Sequence, residues 1–483
     1  MTSTVISVLE IAFIAYFLVL TLSYTALTVM AFVDLIAYRR RLWRGSLHSV
    51  LNDASYRPIS ILVPAFNERD TLPATVRSLL GLRYPECEVI VINDGSTDDT
   101  LEVLRAAFAL QPTPSAIRRS LETSTVRGLY RSLDHPNLVL VDKENGGKSD
   151  ALNAGINVSS FPIFCCMDAD SILEPDALLR VARVFSEDDR IVAAGGIVRT
   201  LNGSLVEDGL VTRIRTPNRL LTLVQAVEYA RGFLTGRAPL ARLNSLMIIS
   251  GTFGLFRKDA VVEAGGYHRG TVCEDMEIVV RLHRRARERK REDEKKVPEQ
   301  RAGRVVFIPD PVCWTQVPSD WRSLLRQRDR WQRGLLESLW MHRRMFCNPF
   351  YGRVGLIGMP FYVLFEALGP VIELAGYVLV VALLLMGRLE PMMALLFFLL
   401  AVSSGIVLSV MALILDDLLF RRYERGRDVL KMILAAFLEF FGYRQVLAIQ
   451  RTVAFFNLVF RRGHWGKARR SRIPHTETGV EAA

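Results

Sequence analysis

Long apolar segments lie near both ends of the 483-residue chain. Residues 11–33 form a run of 23 residues without a charge. A helix of this length crosses a bilayer, because it rises about 1.5 Å per residue. Near the other end, the apolar stretches 354–387 and 391–415 are separated by the short polar link 388–390. A last apolar stretch, 429–460, contains several charges. The pattern predicts an N-terminal transmembrane helix and a C-terminal region of transmembrane or interfacial helices.

Basic residues predict how these segments are oriented. Arg39, Arg40 and Arg41 follow the first helix, and basic residues concentrate on the cytoplasmic side, so the N-terminus is predicted outside. A cleaved signal peptide does not fit, because the apolar run is too long and the basic cluster follows it. The stretch 429–460 has basic flanks on both sides, but its 32 residues are too few for two crossings. It is therefore either a re-entrant or interfacial helix pair, or one crossing whose charges face a helix bundle.

Between the apolar ends, short β-branched runs alternate with helix-like stretches. This alternation is typical of βαβ units, in which helices cover both faces of a mainly parallel sheet. The predicted fold class is therefore α/β, with transmembrane and interfacial α-helices added to it. Ligands of such sheets bind at the carboxyl ends of the strands, so the residues after each run are candidates for chemistry. The runs are 59–63, 89–92, 138–141, 163–167 and 191–198.

Composition narrows the class of protein. Half of the residues are hydrophobic and 23% are charged, which fits a soluble domain joined to membrane segments and excludes disorder, collagen and coiled coil. The net charge of +11 does not indicate nucleic-acid binding, because no basic patch interleaves with aromatic residues. Six cysteines without a CxxC pair argue against a disulfide framework or a zinc site. Neither GxxxxGK(S/T) nor GxGxxG follows the first strand, which argues against ATPase, kinase and dinucleotide-binding functions.

Acidic and anion-binding residues follow several of the predicted strands. Asp168 and Asp170 stand two residues apart and can converge on a hard divalent cation, Mg²⁺ or Mn²⁺. Asp94 can accept a hydrogen bond from the N–H group of a uracil ring, or can belong to a simple turn with a helix cap. Lys148 follows Gly146-Gly147 and opens a helical stretch, an arrangement that favours a diphosphate.

The end of the first strand and a later acidic pair supply further candidates. Glu68 either contacts a bound ligand or is an acid favoured by a helix N-terminus. Glu274 and Asp275 precede an apolar helix, where an acidic pair is either a general base with its neighbour or an N-terminal cap. The residues that lead to Glu68 are also donor-binding candidates: Pro64, Ala65 and Asn67.

These motifs, in this order, resemble the inverting, nucleotide-sugar-dependent glycosyltransferases of family 2, which have a GT-A fold. The resemblance is closer to the processive membrane synthases of cellulose, hyaluronan, chitin and poly-N-acetylglucosamine, and it runs from about Pro58 to Gly334. Residues 327–331 fit the QxxRW pattern of that family. The family usually has two acids where this chain has Asn93 followed by Asp94, a change also seen in poly-N-acetylglucosamine-type synthases.

The resemblance implies roles for the catalytic and metal residues. Asp275 matches the base that takes the proton of the acceptor hydroxyl, and Glu274 matches its acidic neighbour. Asp170 matches a direct ligand of Mg²⁺ or Mn²⁺, and Asp168 matches a contact to the metal or the sugar nucleotide.

On the acceptor side, the resemblance assigns Gln327 and Arg330 to a sugar oxygen and the leaving diphosphate, and Trp331 to a stacking platform. A peripheral amphipathic helix without chemistry is the alternative for this segment. The matching stretch around Phe253 lines the acceptor-sugar site in the family, and a buried core turn is its alternative.

The predicted function is therefore a membrane-embedded inverting glycosyltransferase. It would transfer sugar from a UDP-sugar to a growing β-linked polysaccharide and help to export the product. Its predicted partners are the UDP-sugar donor, the polysaccharide acceptor and the lipid bilayer, without nucleic acid. Its predicted location is the plasma (inner) membrane, with several crossings and a cytoplasmic catalytic domain. Transfer of one sugar to a lipid phosphate carrier is one alternative, and a non-catalytic scaffold for polysaccharide secretion is another.

The predicted domains follow the apolar segments and the motifs in chain order. They are an N-terminal transmembrane helix (1–38), a basic linker (39–57), a cytoplasmic GT-A domain (58–310), interfacial helices with QxxRW (311–350), a transmembrane or interfacial region (351–463) and a basic, then polar tail (464–483).

Overall fold

The structure of the protein is a computed structural model. It describes residues 2–44, 56–114, 118–207, 209–293, 303–388, 390–420, 423 and 425–460. Most of the predicted linker 39–57 and the whole of the predicted tail 464–483 lie outside the described residues. The chain divides into two compact units. The described residues of the helical unit lie in 2–43, 216–245 and 318–460, and those of the α/β unit lie in 44–215 and 246–317.

The α/β unit alternates strands and helices in the order predicted for βαβ units. Its strands are β1 (Ile59–Ala65), β2 (Cys87–Asp94), β3 (Leu110–Pro112), β4 (Val126–Ser132), β5 (Leu138–Lys143), β6 (Ile163–Met167), β7 (Ser171–Leu173), β8 (Ile191–Thr200), β9 (Leu205–Glu207), β10 (Leu210–Arg213), β11 (Phe253–Arg257) and β12 (Arg304–Thr315). Its helices are α2 (Leu72–Leu80), α3 (Thr100–Ala107), α4 (Lys148–Val158), α5 (Ala177–Glu187), α8 (Lys258–Glu263) and α9 (Glu274–Asp293).

One mixed sheet forms the centre of this unit. Ten of its described strands follow the order β3-β4-β5-β2-β1-β6-β11-β8-β12-β7, and β9 pairs with β10 separately. Strands β1, β2, β5 and β6 are parallel neighbours, β8 is parallel to β12, and only β4, β7 and β11 run in the opposite direction. The α/β class with a mainly parallel sheet is confirmed, and the five predicted runs coincide with β1, β2, β5, β6 and β8.

The parallel strands are buried because apolar side chains point to both faces of the sheet. Ile61, Leu62 and Val63 on β1 are fully inaccessible to solvent. Helix α4 packs its small residues against this surface, and a Cβ atom added at Gly155 would lie 3.0 Å from the side chain of Ile92. This close packing fixes the N-terminus of α4 beside the strand ends.

The helical unit consists of long apolar helices and shorter connecting ones. Its helices are α1 (Thr2–Arg44), α6 (Leu220–Arg231), α7 (Ala238–Arg242), α10 (Trp321–Met341), α11 (Val354–Leu385), α12 (Pro391–Phe420), α13 (Gly426–Leu438) and α14 (Arg444–Phe460). Within the described part of the chain, four helical segments are long and apolar enough to cross a membrane: Val8–Arg40, Val354–Leu385, Pro391–Phe420 and Gly426–Leu458.

Helix α6 differs from the predicted domain boundaries. It falls within the predicted soluble domain 58–310, yet residues 216–245 group with the apolar helices. Val224 and Val227 of α6 are buried in one cluster with Leu413 and Met432. The physical reason is that α6 has an apolar surface whose partners lie on α12 and α13. The predicted domain is therefore interrupted by a segment that belongs to the helical unit.

The fourth apolar segment is broken between α13 and α14. Phe441 (φ −115°, ψ 92°) and Gly442 (φ 97°, ψ −55°) leave the helical conformation. Gly442 adopts a positive φ that other residues rarely take. This break is the feature expected of a helix pair, one of the two alternatives predicted for 429–460.

The charges of this broken segment are paired with other helices of the unit. Arg444 contacts Glu373 at 2.7 Å, and Arg451 contacts Glu366 at 3.3 Å. Glu439 contacts Arg231 at 2.6 Å. Charges within apolar segments are expensive unless they are paired or face a polar interior. These side chains therefore agree with the predicted alternative in which the charges face a helix bundle. The segment itself is a broken helix and not the single helix of that alternative.

Candidate active site

The carboxyl ends of the parallel strands bring three of the predicted residues together. Asp168 follows β6, Lys148 opens α4, and Glu274 opens α9. The ammonium group of Lys148 lies 2.7 Å from Asp168 Oδ1 and 3.0 Å from Glu274 Oε1. Burial of Lys148 opposes its charge, but the Asp168 and Glu274 carboxylates outweigh this and raise the pKa of the ammonium group above its ordinary value. Lys148 is therefore a fixed positive charge between two acidic positions.

Asp275 sits in the first turn of α9 with its carboxylate held by three donors. Its Oδ1 accepts hydrogen bonds from the Cys273 thiol at 2.9 Å and from the Met276 N–H group at 2.8 Å. Its Oδ2 accepts one from the Gly251 N–H group at 3.0 Å. A Cβ atom added at Gly251 would lie 3.0 Å from Lys148 Nζ and 3.5 Å from Asp275, so the Asp275 carboxylate, the lysine and this turn are close neighbours. A fixed carboxylate next to a cation can take a proton while negative charge develops nearby.

Asp168 and Asp170 flank Ala169, whose buried carbonyl accepts a hydrogen bond from Thr75 Oγ1 at 2.8 Å. Both carboxylates are partly accessible to solvent. No group of three His, Cys, Asp or Glu side chains that could hold a metal occurs within the described ranges. Two carboxylates nevertheless fit Mg²⁺ or Mn²⁺, because such ions are commonly held by one or two carboxylates together with substrate phosphates and water.

Asp94 is buried, whereas a carboxylate that recognises a nucleotide base is expected to be exposed. Its side chain is 5% exposed, and Lys143 Nζ lies 2.5 Å from its Oδ1. The N–H groups of Gly146 and Gly147 donate to the two carboxylate oxygens at 3.0 and 2.8 Å. Lys143 is fully buried and also pairs with Asp150 at 2.7 Å. These contacts make Asp94 the support of the loop before Lys148, and recognition of uracil stays a prediction.

The loop after β1 is tied to the loop after β2. Asn67 has a positive φ of 58°, and its side-chain oxygen accepts a hydrogen bond from the Thr97 N–H group at 2.8 Å. Glu68 accepts a hydrogen bond from Thr71 Oγ1 at 2.9 Å, close to the start of α2. Pro64 and Ala65 are the last residues of β1. Their approach to a nucleotide stays a prediction.

Phe253 lies in the core of the α/β unit. It is the first residue of β11 and is fully buried. A Cβ atom added at Gly196 would lie only 2.2 Å from its ring, which shows that the ring fills the space above that glycine. The ring is therefore a core residue at the start of a strand, which agrees better with the buried alternative, and its contact with an acceptor sugar stays a prediction.

The QxxRW residues lie on α10, in the helical unit. Trp331 and Arg330 are exposed, and the Arg328 guanidinium lies 4.3 Å from the centroid of the Trp331 ring. Arg328 is itself buried and pairs with Glu228 at 2.6 Å. Gln327 Oε1 is buried and has no hydrogen-bond partner among the residues that the structure describes. The acceptor and diphosphate roles of Gln327, Arg330 and Trp331 stay predictions.

Four residues of these arrangements were not predicted from the sequence: Lys143, Thr252, Cys273 and Arg328. Each belongs to a motif that the sequence analysis used, so position alone could have drawn attention to them. Sequence spacing does not show which side chains pair with each other. Thr252, for example, donates to Asp168 Oδ2 at 3.1 Å, although the two residues are 84 positions apart. Arg328 pairs with a glutamate 100 residues away.

A family model described as "Glycosyltransferase like family 2" matches residues 57–334, more than half of the chain. The chain belongs to the family 2 glycosyltransferases. Family 2 membership confirms the expected enzyme class and, with the observed sheet, the expected GT-A fold. It also agrees with the extent of the sequence resemblance, from about Pro58 to Gly334.

Curated relatives are similar to this family 2 chain over its central part. Poly-beta-1,6-N-acetyl-D-glucosamine synthase of Staphylococcus aureus (strain MSSA476) is 29% identical over 309 residues, which cover 63% of this chain and 60% of the relative. The protein of the same name from Staphylococcus epidermidis is 29% identical over 287 residues, 58% of this chain and 56% of the relative. The chain thus spans about 60% of the length of the first of these relatives.

Among solved structures, the mannosyltransferase PcManGT from Pyrobaculum calidifontis, in complex with GDP-Man and Mn²⁺, is similar to this family 2 chain. The two are 16% identical, with a TM-score of 0.49, over 92% of this chain and 100% of that one.

Proposed function

We propose that the protein is a membrane-embedded inverting glycosyltransferase that extends a β-linked polysaccharide from a UDP-sugar. The observation that carries this proposal is the Lys148 ammonium group held between Asp168 and Glu274, next to Asp275. A cation between a strand-end carboxylate and a candidate base suits a reaction in which a diphosphate leaves while a hydroxyl group loses its proton.

In the proposed reaction, Asp275 accepts the proton of the acceptor hydroxyl as its oxygen attacks the anomeric carbon of the donor. A new C–O bond forms on one face of the sugar while the bond to UDP breaks on the other, so the configuration inverts. Lys148 stabilises the charge that develops on the leaving diphosphate. Mg²⁺ or Mn²⁺ held by Asp168 and Asp170 would supply additional charge neutralisation at the same diphosphate.

The names of the similar synthases favour N-acetylglucosamine as the transferred sugar. The four apolar helical segments and their paired charges support a membrane location in which polar groups face the product rather than lipid. The basic residues at the end of α1 support a cytoplasmic donor-binding side, and the location that we propose is the plasma (inner) membrane.

Membrane vesicles test the donor and the orientation together. Inside-out vesicles that contain the protein should release UDP from UDP-N-acetylglucosamine faster than from UDP-glucose or UDP-galactose, whereas sealed right-side-out vesicles should release none. Permeabilising the right-side-out vesicles should restore the activity and serves as the control. Release of UDP by sealed right-side-out vesicles would contradict the cytoplasmic orientation, and a uniform lack of release would contradict the enzyme function.

Trp331 tests whether the protein keeps its product between additions. Replacing it with Ala removes about 1–3 kcal/mol of apolar contact with a stacked sugar, and about 1.4 kcal/mol changes an equilibrium ten-fold. We therefore expect Trp331→Ala to shorten the polymer while UDP binding persists, measured by sizing radiolabelled product on gels.

Trp340 provides a matched control on the same helix. It is 70% exposed, and an arginine, Arg343, lies 4.8 Å from its ring centroid, much as Arg328 lies over Trp331. Trp340→Ala should leave the polymer length unchanged. Equal shortening by both substitutions would indicate a membrane-surface helix, and unchanged polymer from Trp331→Ala would remove the stacking role.

A further inference from the structure

Two uncharged donors, one from each side of the site, hold its two key carboxylates. Thr252 Oγ1 donates to Asp168 Oδ2 at 3.1 Å. Cys273 Sγ donates to Asp275 Oδ1 at 2.9 Å. Neither donor carries a charge, so neither changes the net charge of the group formed by Lys148 and the carboxylates.

The turn that carries Thr252 is rigid and connects the two carboxylates. The Phe253 N–H group donates to the Ser250 carbonyl at 3.0 Å, which closes the turn. The Thr252 carbonyl accepts a hydrogen bond from the buried Cys313 thiol at 3.7 Å. Gly251, in the same turn, donates its N–H group to Asp275. One four-residue turn, 250–253, thus contacts the donor-side carboxylate through a side chain and the base through its backbone.

Cys273 stands directly before α9 and is tied to the chain on both sides. Its N–H group donates to Thr271 Oγ1 at 3.3 Å, and its carbonyl accepts from the Glu277 N–H group at 3.2 Å. These bonds hold the backbone of Cys273 in the position from which its thiol donates to Asp275. Burial, with the nearby Asp275 carboxylate, raises the pKa of the Cys273 thiol, which keeps it protonated as a donor.

We propose that Thr252 and Cys273 are positioning residues with separate roles, Thr252 for donor and metal binding through Asp168 and Cys273 for proton transfer through Asp275. This inference rests on the proposed function, since it takes Asp168 and Asp275 as the donor-side and base carboxylates. Its consequence is that the two residues affect different kinetic constants. A general loss of structure would instead change both constants together.

For Cys273, the test compares two substitutions. Cys273→Ala removes the donor and should lower kcat about ten- to hundred-fold, because a small misplacement of a base costs up to about 10²-fold. KM for the UDP-sugar should stay within about two-fold, since the donor side is unchanged. Cys273→Ser keeps a hydrogen-bond donor and should restore most of kcat. Cys347→Ala, at an exposed cysteine in the helical unit, is the control.

For Thr252, Thr252→Val keeps the shape of the side chain but removes the hydroxyl donor. It should raise KM for the UDP-sugar and weaken Mn²⁺ binding about ten-fold, with kcat at saturation little changed. Mn²⁺ binding is measured by electron paramagnetic resonance on the purified full chain without substrate. Thr252→Ser should behave like the unmodified protein, and Thr113→Val is the control at a distant threonine whose hydroxyl contacts only a local carbonyl.

The outcomes distinguish this inference from the proposed function. If the unmodified protein is active and either Cys273→Ala or Thr252→Val leaves both kinetic constants unchanged, the positioning roles are wrong and the enzyme function stands. A Cys273→Ser variant as slow as Cys273→Ala would also overturn the role of the thiol as a donor. If the unmodified protein releases no UDP but Thr252→Val still weakens Mn²⁺ binding, the proposed function fails and the role of Thr252 at Asp168 stands.

Discussion

Asp275→Asn should lower turnover by about 10²–10⁴-fold, the usual contribution of a general base. The amide keeps the size of the side chain and can still accept the Gly251 or Met276 N–H group, so the fold should persist. It cannot take the proton of the acceptor hydroxyl. UDP affinity, measured by calorimetry on the purified protein, should change little, because this carboxylate is proposed to act on the acceptor side.

A surface aspartate of the same unit provides the control for this experiment. Asp259 pairs with Arg257 at 2.6 Å and is well exposed, so Asp259→Asn should leave turnover unchanged. Loss of UDP affinity in Asp275→Asn, with an unchanged melting temperature, would move Asp275 to the donor site. Turnover close to that of the unmodified protein would remove it from the reaction.

Removal of the metal should have an effect of similar size. EDTA should abolish turnover, and added Mg²⁺ or Mn²⁺ should restore it, because charge stabilisation by a bound metal contributes several kcal/mol. Asp170→Asn should lower turnover at least about 100-fold, which is about 2.8 kcal/mol. It should also abolish Mn²⁺ binding, which electron paramagnetic resonance measures without any need for activity.

Asp189→Asn is the matched control, since Asp189 is 81% exposed and contacts Arg57 on the surface. It should bind Mn²⁺ like the unmodified protein. Full activity in EDTA would show that Lys148 stabilises the diphosphate without a metal. Normal Mn²⁺ binding by Asp170→Asn would place the metal elsewhere.

The arrangement of the α/β unit could be predicted because short segments of sequence indicate each of its strands. Each central strand is a short β-branched run, and each candidate residue follows the end of a run, so parallel topology brings these residues to one edge of the sheet. Asp168 and Lys148 were predicted in this way, whereas Glu274 was predicted from its position before a helix and from the family resemblance. The structure joins the three within 3.0 Å. The family resemblance supplied the roles, which residue types alone leave open.

The sequence does not predict burial that depends on the rest of the fold. Phe253 looked available to a sugar, but Gly196, on a neighbouring strand, makes the space that its ring fills. The sequence predicts that Asp94 binds a nucleotide base. In the structure its carboxylate pairs with Lys143, 49 residues further along the chain. Local spacing contains no information about either partner.

The helical unit shows the same limit. Charge flanks and length left two interpretations of residues 429–460, and the structure combines features of both. The charges on either side of the break at Phe441 and Gly442 pair with residues of distant segments. Glu439 pairs with Arg231, and Arg444 pairs with Glu373. A single-sequence pattern can locate such charges but cannot pair them.

The position of α6 has a consequence for the synthesis of the protein. Val224 of α6 is buried against Met432 of α13, and the ribosome makes these two residues about 200 positions apart. At roughly 5–20 residues per second, the apolar surface of α6 waits about 10–40 seconds for its partners. In the first part of that interval the α/β unit is also incomplete, because β11 and β12 follow α6 in the chain. The apolar surface of α6 is therefore exposed to aggregation while the rest of the enzyme is translated. The bilayer that receives α1 is a surface to which α6 can bind during this time.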